Sequence, residues 1–279
     1  MSLLDETRVV IKKFHLRPDT DRGQNFLISE SVLADIIAAA DLDRKDVILE
    51  IGTGLGTLTK SLAAVAKKVI TIESDRRLQP LLADLAGQYS NVQLVMKDFT
   101  KVGWSELAAA LGPRYKVVAN IPYYITGKIV EQLLSWEVLP QSIIFLVQAE
   151  VGKKYCAKVG DLSKQSLAVQ FYSIPEAIKK VPAKSFWPVP QVDSAIIRLS
   201  QIHSWNYSAP EKPVWQLIRI GFSSKRKKLV NNLAAGLQIS KSEAEKMVVA
   251  IGLDSNVRAE DLTKEQWVEL VKIKDKKAK

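Results

Sequence analysis

Val47-Ile48-Leu49-Glu50-Ile51-Gly52-Thr53-Gly54-Leu55-Gly56-Thr57 decides how the rest of the chain is read. Val47 to Ile51 is a short, mainly apolar run of strand length, the pattern of a strand buried on both faces of a parallel sheet. Gly52, Gly54 and Gly56 follow at once and let the backbone bend sharply and approach a ligand closely. A helix starting near Leu58 would turn its first amides toward that ligand. The next strand, Lys68 to Ile72, ends in Glu73. That acid stands roughly 20 residues past the first glycine, a position from which a carboxylate accepts hydrogen bonds from ribose hydroxyls.

Two ligands could use this arrangement. A dinucleotide fingerprint would need glycine at position 57, where Thr57 stands. A diphosphate also has no use for an acid ahead of the first glycine. S-adenosylmethionine carries an ammonium group and a positive sulfur, and acids around the loop, Glu50 and Glu73, suit it better. The glycines alone are equally compatible with a plain strand-to-helix turn; the two acids at these spacings favour the cofactor.

Outward from this stretch, strand and helix patterns alternate. A helix over Glu30–Ala40, capped by Ser29, precedes it. Helices over Leu58–Ala66, Leu78–Tyr89, Ser105–Leu111 and Ile129–Ser135 are expected, with strands at Val92–Val95, Lys116–Ala119 and Ser142–Val147. The alternation predicts a doubly wound parallel sheet, an α/β Rossmann-like fold whose ligand sits at the carboxyl ends of the strands. Gly52, Glu73, Asp98 and Asn120 each fall just after an expected strand end. Further strands are expected near Glu176–Val181 and Ala195–Leu199, separated by the Pro-rich loop Phe186-Trp-Pro-Val-Pro-Gln-Val-Asp-Ser194. Ser204 to Pro213 reads as a linker, and all that follows reads as helix. The expected organisation is a catalytic domain over residues 1–203, with an N-terminal helical extension, and a small all-α domain over 204–279.

The 279 residues allow one large or two modest domains, and 47% hydrophobic content is ample for a core. A single cysteine, Cys156, excludes an internal disulfide and fits a reducing, cytoplasmic setting. With only His15 and His203 beside it, no metal site is expected. The N-terminus has no signal-peptide pattern and no apolar run has membrane-spanning length. Net charge is +10, and residues 181–279 hold 17 Lys and Arg against 10 Asp and Glu. A basic C-terminal third points to a polyanion, most simply nucleic acid; a solvated helical surface is the bland alternative. The cluster Lys225-Arg226-Lys227-Lys228, expected on a helix, is the candidate backbone clamp.

Asn120-Ile121-Pro122-Tyr123 carries the chemistry. The exocyclic amine of adenine is a poor nucleophile because its lone pair is delocalised into the ring. Methylating it calls for an acceptor for each N–H, so that the nitrogen can pyramidalise. The Asn120 side-chain oxygen and the Ile121 carbonyl can serve, the latter held by the restriction Pro122 imposes. Tyr123 offers a face for the base, a contact worth about 1–3 kcal/mol. No strong base is needed, and catalysis is mainly alignment and electrostatics. Alone, the same residues could simply be a turn closing a strand.

Taken in order, Gly23-Gln-Asn-Phe-Leu27, Glu50-Ile-Gly-Thr-Gly-Leu-Gly56, Glu73, Asp98, Asn120-Ile-Pro-Tyr123 and the Pro-rich loop resemble the ribosomal RNA adenine dimethyltransferase family, most closely its bacterial small-subunit branch. Phe222-x-x-Lys-Arg-Lys-Lys-Leu-x-Asn-Asn-Leu233 and Arg258-Ala-Glu-Asp-Leu262 resemble family features of the C-terminal region. The resemblance implies a class I fold, with Asn25 and Leu27 closing over the methionine end of S-adenosylmethionine and Gly52 and Gly54 lining it. It implies that Glu73 holds the ribose, Asp98 the cofactor's adenine amine, and that Phe186 faces Tyr123 across a flipped base. The implied reaction is dimethylation of two adjacent adenosines in the 3′-terminal hairpin loop of 16S rRNA. The implied partner is a 30S precursor, with a role in subunit biogenesis, and a monomer is expected. Ala149 stands where the family commonly has Lys, and Asp161 where Arg is common. Two other readings share the fold: a 23S rRNA methylase of the macrolide-resistance type, and a ribosome-assembly or transcription factor without turnover.

Overall fold

The strand expected at Val47–Ile51 forms with those bounds, and the sheet is built outward from it. The computed structural model describes residues 1–19, 23–121 and 125–277. In chain order its elements are α1 (Leu3–Lys13), β1 (Phe26–Leu27), α2 (Glu30–Ala40), β2 (Val47–Ile51), α3 (Thr57–Val65), β3 (Lys68–Glu73) and α4 (Gln79–Gln88). There follow β4 (Val92–Met96), α5 (Trp104–Leu111), β5 (Lys116–Asn120), α6 (Thr126–Ser135), β6 (Ile143–Gln148), α7 (Ala149–Tyr155) and α8 (Lys164–Gln170). The chain ends with β7 (Ile174–Val181), β8 (Phe186–Trp187), β9 (Ser194–Ser200), α9 (Glu211–Gly221), α10 (Leu229–Leu237), α11 (Lys241–Ala250) and α12 (Lys264–Lys277).

A seven-stranded sheet takes the order β4-β3-β2-β5-β6-β9-β7. Strands β2 to β6 pair in parallel, as the βα alternation predicts. The last two do not: β9 runs antiparallel to β6, and β7 antiparallel to β9. The all-parallel expectation is therefore corrected to a mixed, mostly parallel sheet. After β6 the chain passes through α7 and α8, then returns through β7 and β9 as an antiparallel pair on one edge. A second, two-stranded sheet pairs Phe26 with Trp187 and Leu27 with Phe186.

The winding order reverses between β2 and β5, neighbours in the sheet although α3, β3, α4, β4 and α5 pass between them in the chain. At such a reversal the connections leave in opposite directions and open a crevice at the carboxyl ends of the strands. The core beneath it is aliphatic: Ile48, Val69, Val118, Ile144 and Ile196 pack against Val32 and Ile36 of α2 and Leu58 and Leu62 of α3. Helix α2 owes its position to this periodic apolar face and to the Ser29 hydroxyl, which accepts from the Val32 N–H at 3.4 Å.

Contacts divide the chain into two units, Met1–Lys153 with Ser173–Ile202, and Lys154–Tyr172 with His203–Lys279. The second crossing lies close to the boundary expected after residue 203, but Lys154–Tyr172 joins the helical unit. The reason is apolar: Leu162, Leu167 and Phe171 share a core with Leu217, Leu229, Leu233, Val248 and Trp267. Phe171 stands within 5.0, 5.1 and 5.6 Å of the rings of Trp205, Tyr207 and Trp215. Among the described residues, no helix is long and apolar enough to cross a membrane.

Candidate active site

A crevice at the carboxyl ends of β2, β3, β4 and β5 is lined by Asn25, Leu27, Gly52, Gly54, Glu73, Asp98, Asn120 and Ile121. These eight residues, drawn from five separate stretches of chain, thus line one cavity.

The glycine loop leaves β2 with Gly52, Gly54 and Gly56 at φ of 82°, 56° and 80°, a region L side chains rarely adopt. A Cβ on Gly56 would also come within 2.7 Å of Leu85. Glu73, at the end of β3, is clamped by backbone donors. Its Oε2 accepts from the Gly54 N–H at 3.0 Å, and its Oε1 from Ser74 and Asp75 N–H groups at 2.7 and 2.8 Å. The carboxylate therefore ties the glycine loop to the strand beside it.

Asp98 follows β4. Its Oδ1 accepts from both the backbone N–H and the hydroxyl of Thr100, at 2.9 and 2.8 Å, closing a tight turn. Gln132 of α6 holds that turn from below, donating Nε2 to the carbonyls of Phe99 and Val102 at 2.9 and 2.6 Å. Gln132 was not legible as a site residue, since nothing in the sequence near it marks a contact some 30 residues back.

Asn120 is the last residue of β5, level with Leu146 of β6. Ile121 is buried, and its N–H donates to the Leu146 carbonyl at 3.4 Å. Pro122 and Tyr123 lie outside the described residues.

The packing places two of the residues named above away from the open crevice. Glu50 does not line the crevice. Its side chain is fully buried under α3, where Oε2 accepts from the Thr59 hydroxyl at 2.6 Å. Burial pushes its carboxyl up to about 8, so at neutral pH it is an uncharged acid rather than an anion facing a ligand. Phe186 is 1% exposed, a member of the core beside Leu27, Val32 and Ile36. In this structure its ring backs the wall of the crevice and presents no open face.

In the helical unit, Lys225, Arg226, Lys227 and Lys228 are all exposed. They occupy the turn between α9 and α10, not a helix as expected; α10 begins at Leu229. Lys228 is extended, and buried Asn232 donates Nδ2 to the carbonyls of Gly221 and Ser224 at 2.6 and 3.0 Å, holding the turn out of helical register. The Lys228 ammonium donates to Asn256.

The crevice thus offers a cradle without side chains for a close-packed ligand, two carboxylates, and an amide and a peptide carbonyl at the end of β5. This suits a cation with an adenosine end, beside a second base presented by its amine. A family model for ribosomal RNA adenine dimethylase matches residues 16–276. The chain is 38% identical over 270 residues to a Dehalococcoides mccartyi protein named ribosomal RNA small subunit methyltransferase A, covering 96% of this chain and 92% of the relative. It is 37% identical to the protein of that name from Alkaliphilus metalliredigens, covering 96% and 95%. Among solved structures, a dimethyladenosine transferase from Plasmodium falciparum superposes with TM-score 0.75 at 26% identity, over 91% of this chain and 98% of that one. The 23S rRNA methyltransferase ErmE does so with TM-score 0.72 at 26% identity, over 90% and 100%.

Proposed function

The chain belongs to the ribosomal RNA adenine dimethylase family, and from that premise we propose how it works as an S-adenosylmethionine-dependent adenine-N6 dimethyltransferase of small-subunit rRNA. The observation that carries the reading is the convergence of Asn25, Gly52, Glu73, Asp98 and Asn120 on one crevice at the switch point of the sheet.

S-adenosylmethionine supplies a methyl group activated by a positive sulfur. Glu73 would take the ribose hydroxyls, and the second oxygen of Asp98 the adenine amine. Asn25, Leu27, Gly52 and Gly54 would enclose the methionine end. The target adenine would enter beside Asn120, with its amine N–H groups accepted by the Asn120 oxygen and the Ile121 carbonyl. Both acceptors lie at the end of β5, where the ladder to β6 fixes the backbone. Attack then needs alignment more than base strength, and the proton leaves after the methyl has transferred. Pro122 would restrict Ile121, and Tyr123 would stack on the base. Phe186 was expected across from Tyr123; from its buried position it would support Leu27, and stacking a base on it would require its ring to leave the core.

The substrate we favour is a 30S precursor, with two adjacent adenosines in the 3′-terminal hairpin loop of 16S rRNA splayed into the crevice. The exposed turn Lys225–Lys228 would bind RNA phosphates. The small-subunit choice over 23S rRNA is supported by 38% identity to a small-subunit relative against 26% to ErmE.

The test is incubation of the protein with methyl-labelled S-adenosylmethionine and unmethylated 30S particles, with naked 16S and 23S rRNA in parallel, followed by nucleoside analysis. Dimethyladenosine in 16S rRNA is expected. Label confined to 23S rRNA would reverse the substrate choice. Particle binding with no label anywhere would leave only an assembly role.

A further inference from the structure

Two stretches distant in sequence form one side of the crevice, the segment Gly23–Leu27 and the turn after β3. Phe26 packs with Leu78 and Leu81 beyond that turn, and the Gln24 side chain carries the hydrogen bonds that join the two stretches. Gln24 donates Nε2 to Asp75 Oδ2 at 2.7 Å, and its own Oε1 accepts from the Asp19 N–H at 2.9 Å. Asp75 is 5% exposed and heavily engaged. Arg77 donates Nε to its two oxygens at 2.9 and 3.1 Å, Nη2 to Oδ2 at 2.6 Å and its backbone N–H to Oδ1 at 3.0 Å. The guanidinium also reaches the Arg17 carbonyl at 3.5 Å and the Gln24 Oε1 at 3.4 Å. At its other end the same segment is fixed by the β1–β8 pair and by the Ile28 N–H donating to the Ser185 carbonyl at 2.9 Å.

We propose that Asp75 is a positioning residue for the cofactor: with Arg77 it grips Gln24 and so holds Gly23–Leu27 as a wall of the crevice. Nothing in the chemistry above uses Asp75 or Arg77, yet this buried acid accepts from four donor groups of Gln24 and Arg77. The Arg77 fork, and after it the Gln24 amide, hold the Asp75 carboxyl down to about 2, so the clasp stays charged through the physiological range. Its backbone N–H also donates to Glu73 Oε1, so one short turn sets both the ribose-binding acid and the wall opposite. Losing the clasp frees one end of the wall and leaves Asn120 and Ile121 untouched. The effect should therefore fall on cofactor affinity and spare turnover at saturation.

The inference rests on reading this crevice as the cofactor's, and the experiment separates the two. In the full-length protein, Asp75→Asn, Gln24→Ala, the double variant and Asp98→Ala are compared. The readouts are S-adenosylhomocysteine affinity by calorimetry and steady-state methylation of 30S particles. Asp75→Asn and Gln24→Ala are each expected to raise the KM for S-adenosylmethionine about tenfold with kcat within about twofold, the scale of a lost orienting contact. The double variant should be no worse than the worse single, because both remove one clasp. Unchanged affinity in Asp75→Asn, with Asp98→Ala still weakened, would overturn the clasp; so would additive losses in the double. Unchanged affinity in Asp98→Ala would overturn the crevice assignment itself, and the clasp with it. Should Asp75→Asn fail to fold, Gln24→Ala and Arg77→Gln carry the same expectation from the periphery of the clasp, and a KM unchanged in both overturns it.

Discussion

Thr59 donates its hydroxyl to Glu50 Oε2 beneath the glycine loop, and among the described residues no hydrogen bond reaches the second oxygen of that carboxyl. The folded protein holds Glu50 at about 8 against an ordinary 4.5, burial being the main cause. Between those values the native state keeps a proton that the unfolded chain releases. The contribution of Glu50 to stability is therefore fully present below about pH 4.5, falls by up to about 1.4 kcal/mol per pH unit as pH rises, and levels off above pH 8. Glu50→Gln keeps the shape and removes the titration. Thermal melts should show the variant gaining on the parent between pH 5.5 and 8.5; a pH-independent difference would contradict the burial account.

Gln132→Ala strips the support from the Asp98 turn and leaves the Phe99 and Val102 carbonyls without that donor. A loss of about 1–3 kcal/mol in stability is expected, with a raised KM for S-adenosylmethionine and an unchanged KM for RNA. Denaturant titration and steady-state kinetics on one preparation would read both.

A methyl at position 221 has nowhere to go. An ideal Cβ there lies 2.3 Å from Trp267 and 3.0 Å from Leu229, both buried. Gly221→Ala should cost about 1–3 kcal/mol through overpacking, and the shift of Trp267 should appear in its fluorescence.

Asn120→Ala removes one of the two proposed acceptors at the amine. By analogy with lost oxyanion donors, kcat should fall by roughly 100- to 1,000-fold, with cofactor affinity little changed. Retained particle binding in this variant would reveal an assembly role separate from turnover.

For the basic turn, salt-dependent RNA binding is the readout. Each phosphate-contacting cation removed should reduce the slope by roughly 0.7–0.9. Lys225→Ala, Arg226→Ala and Lys227→Ala should each do so, and Lys228→Ala less, because its ammonium is already engaged by Asn256. An unchanged slope in a Lys225, Arg226 and Lys227 triple variant would show the turn to be a solvated face.

What the sequence disclosed was what is written locally. Apolar runs with glycine or an acid at their ends placed β2, β3 and β5 within a residue, and α2 to the residue, because period and cap both lie within ten positions. The rim residues Gly52, Glu73, Asp98 and Asn120 follow from that. What escaped depends on distant partners. The β1–β8 pair joins Leu27 to Phe186 in strands too short for any period to register. Strand direction is equally silent in an apolar run, so β7 and β9 read like the rest. Glu50 and Phe186 were legible as residues of interest, but the side their side chains face is set by α3 and α2 above the sheet. The Lys225–Lys228 turn was read as helix because its partner, Asn232, enters from the following element.

The helical unit gathers its core from both sides of β7, β8 and β9, with Leu162, Leu167 and Phe171 on one side and everything from Ala209 onward on the other. A gene fragment opening at residue 204 would encode about four-fifths of that module and omit the ring on which three aromatic neighbours rest. Recombinants between relatives that exchange tails would mismatch in the same place unless residues 154–172 travel with them, so inheritance at these two stretches is bound together although 30 residues of another unit lie between.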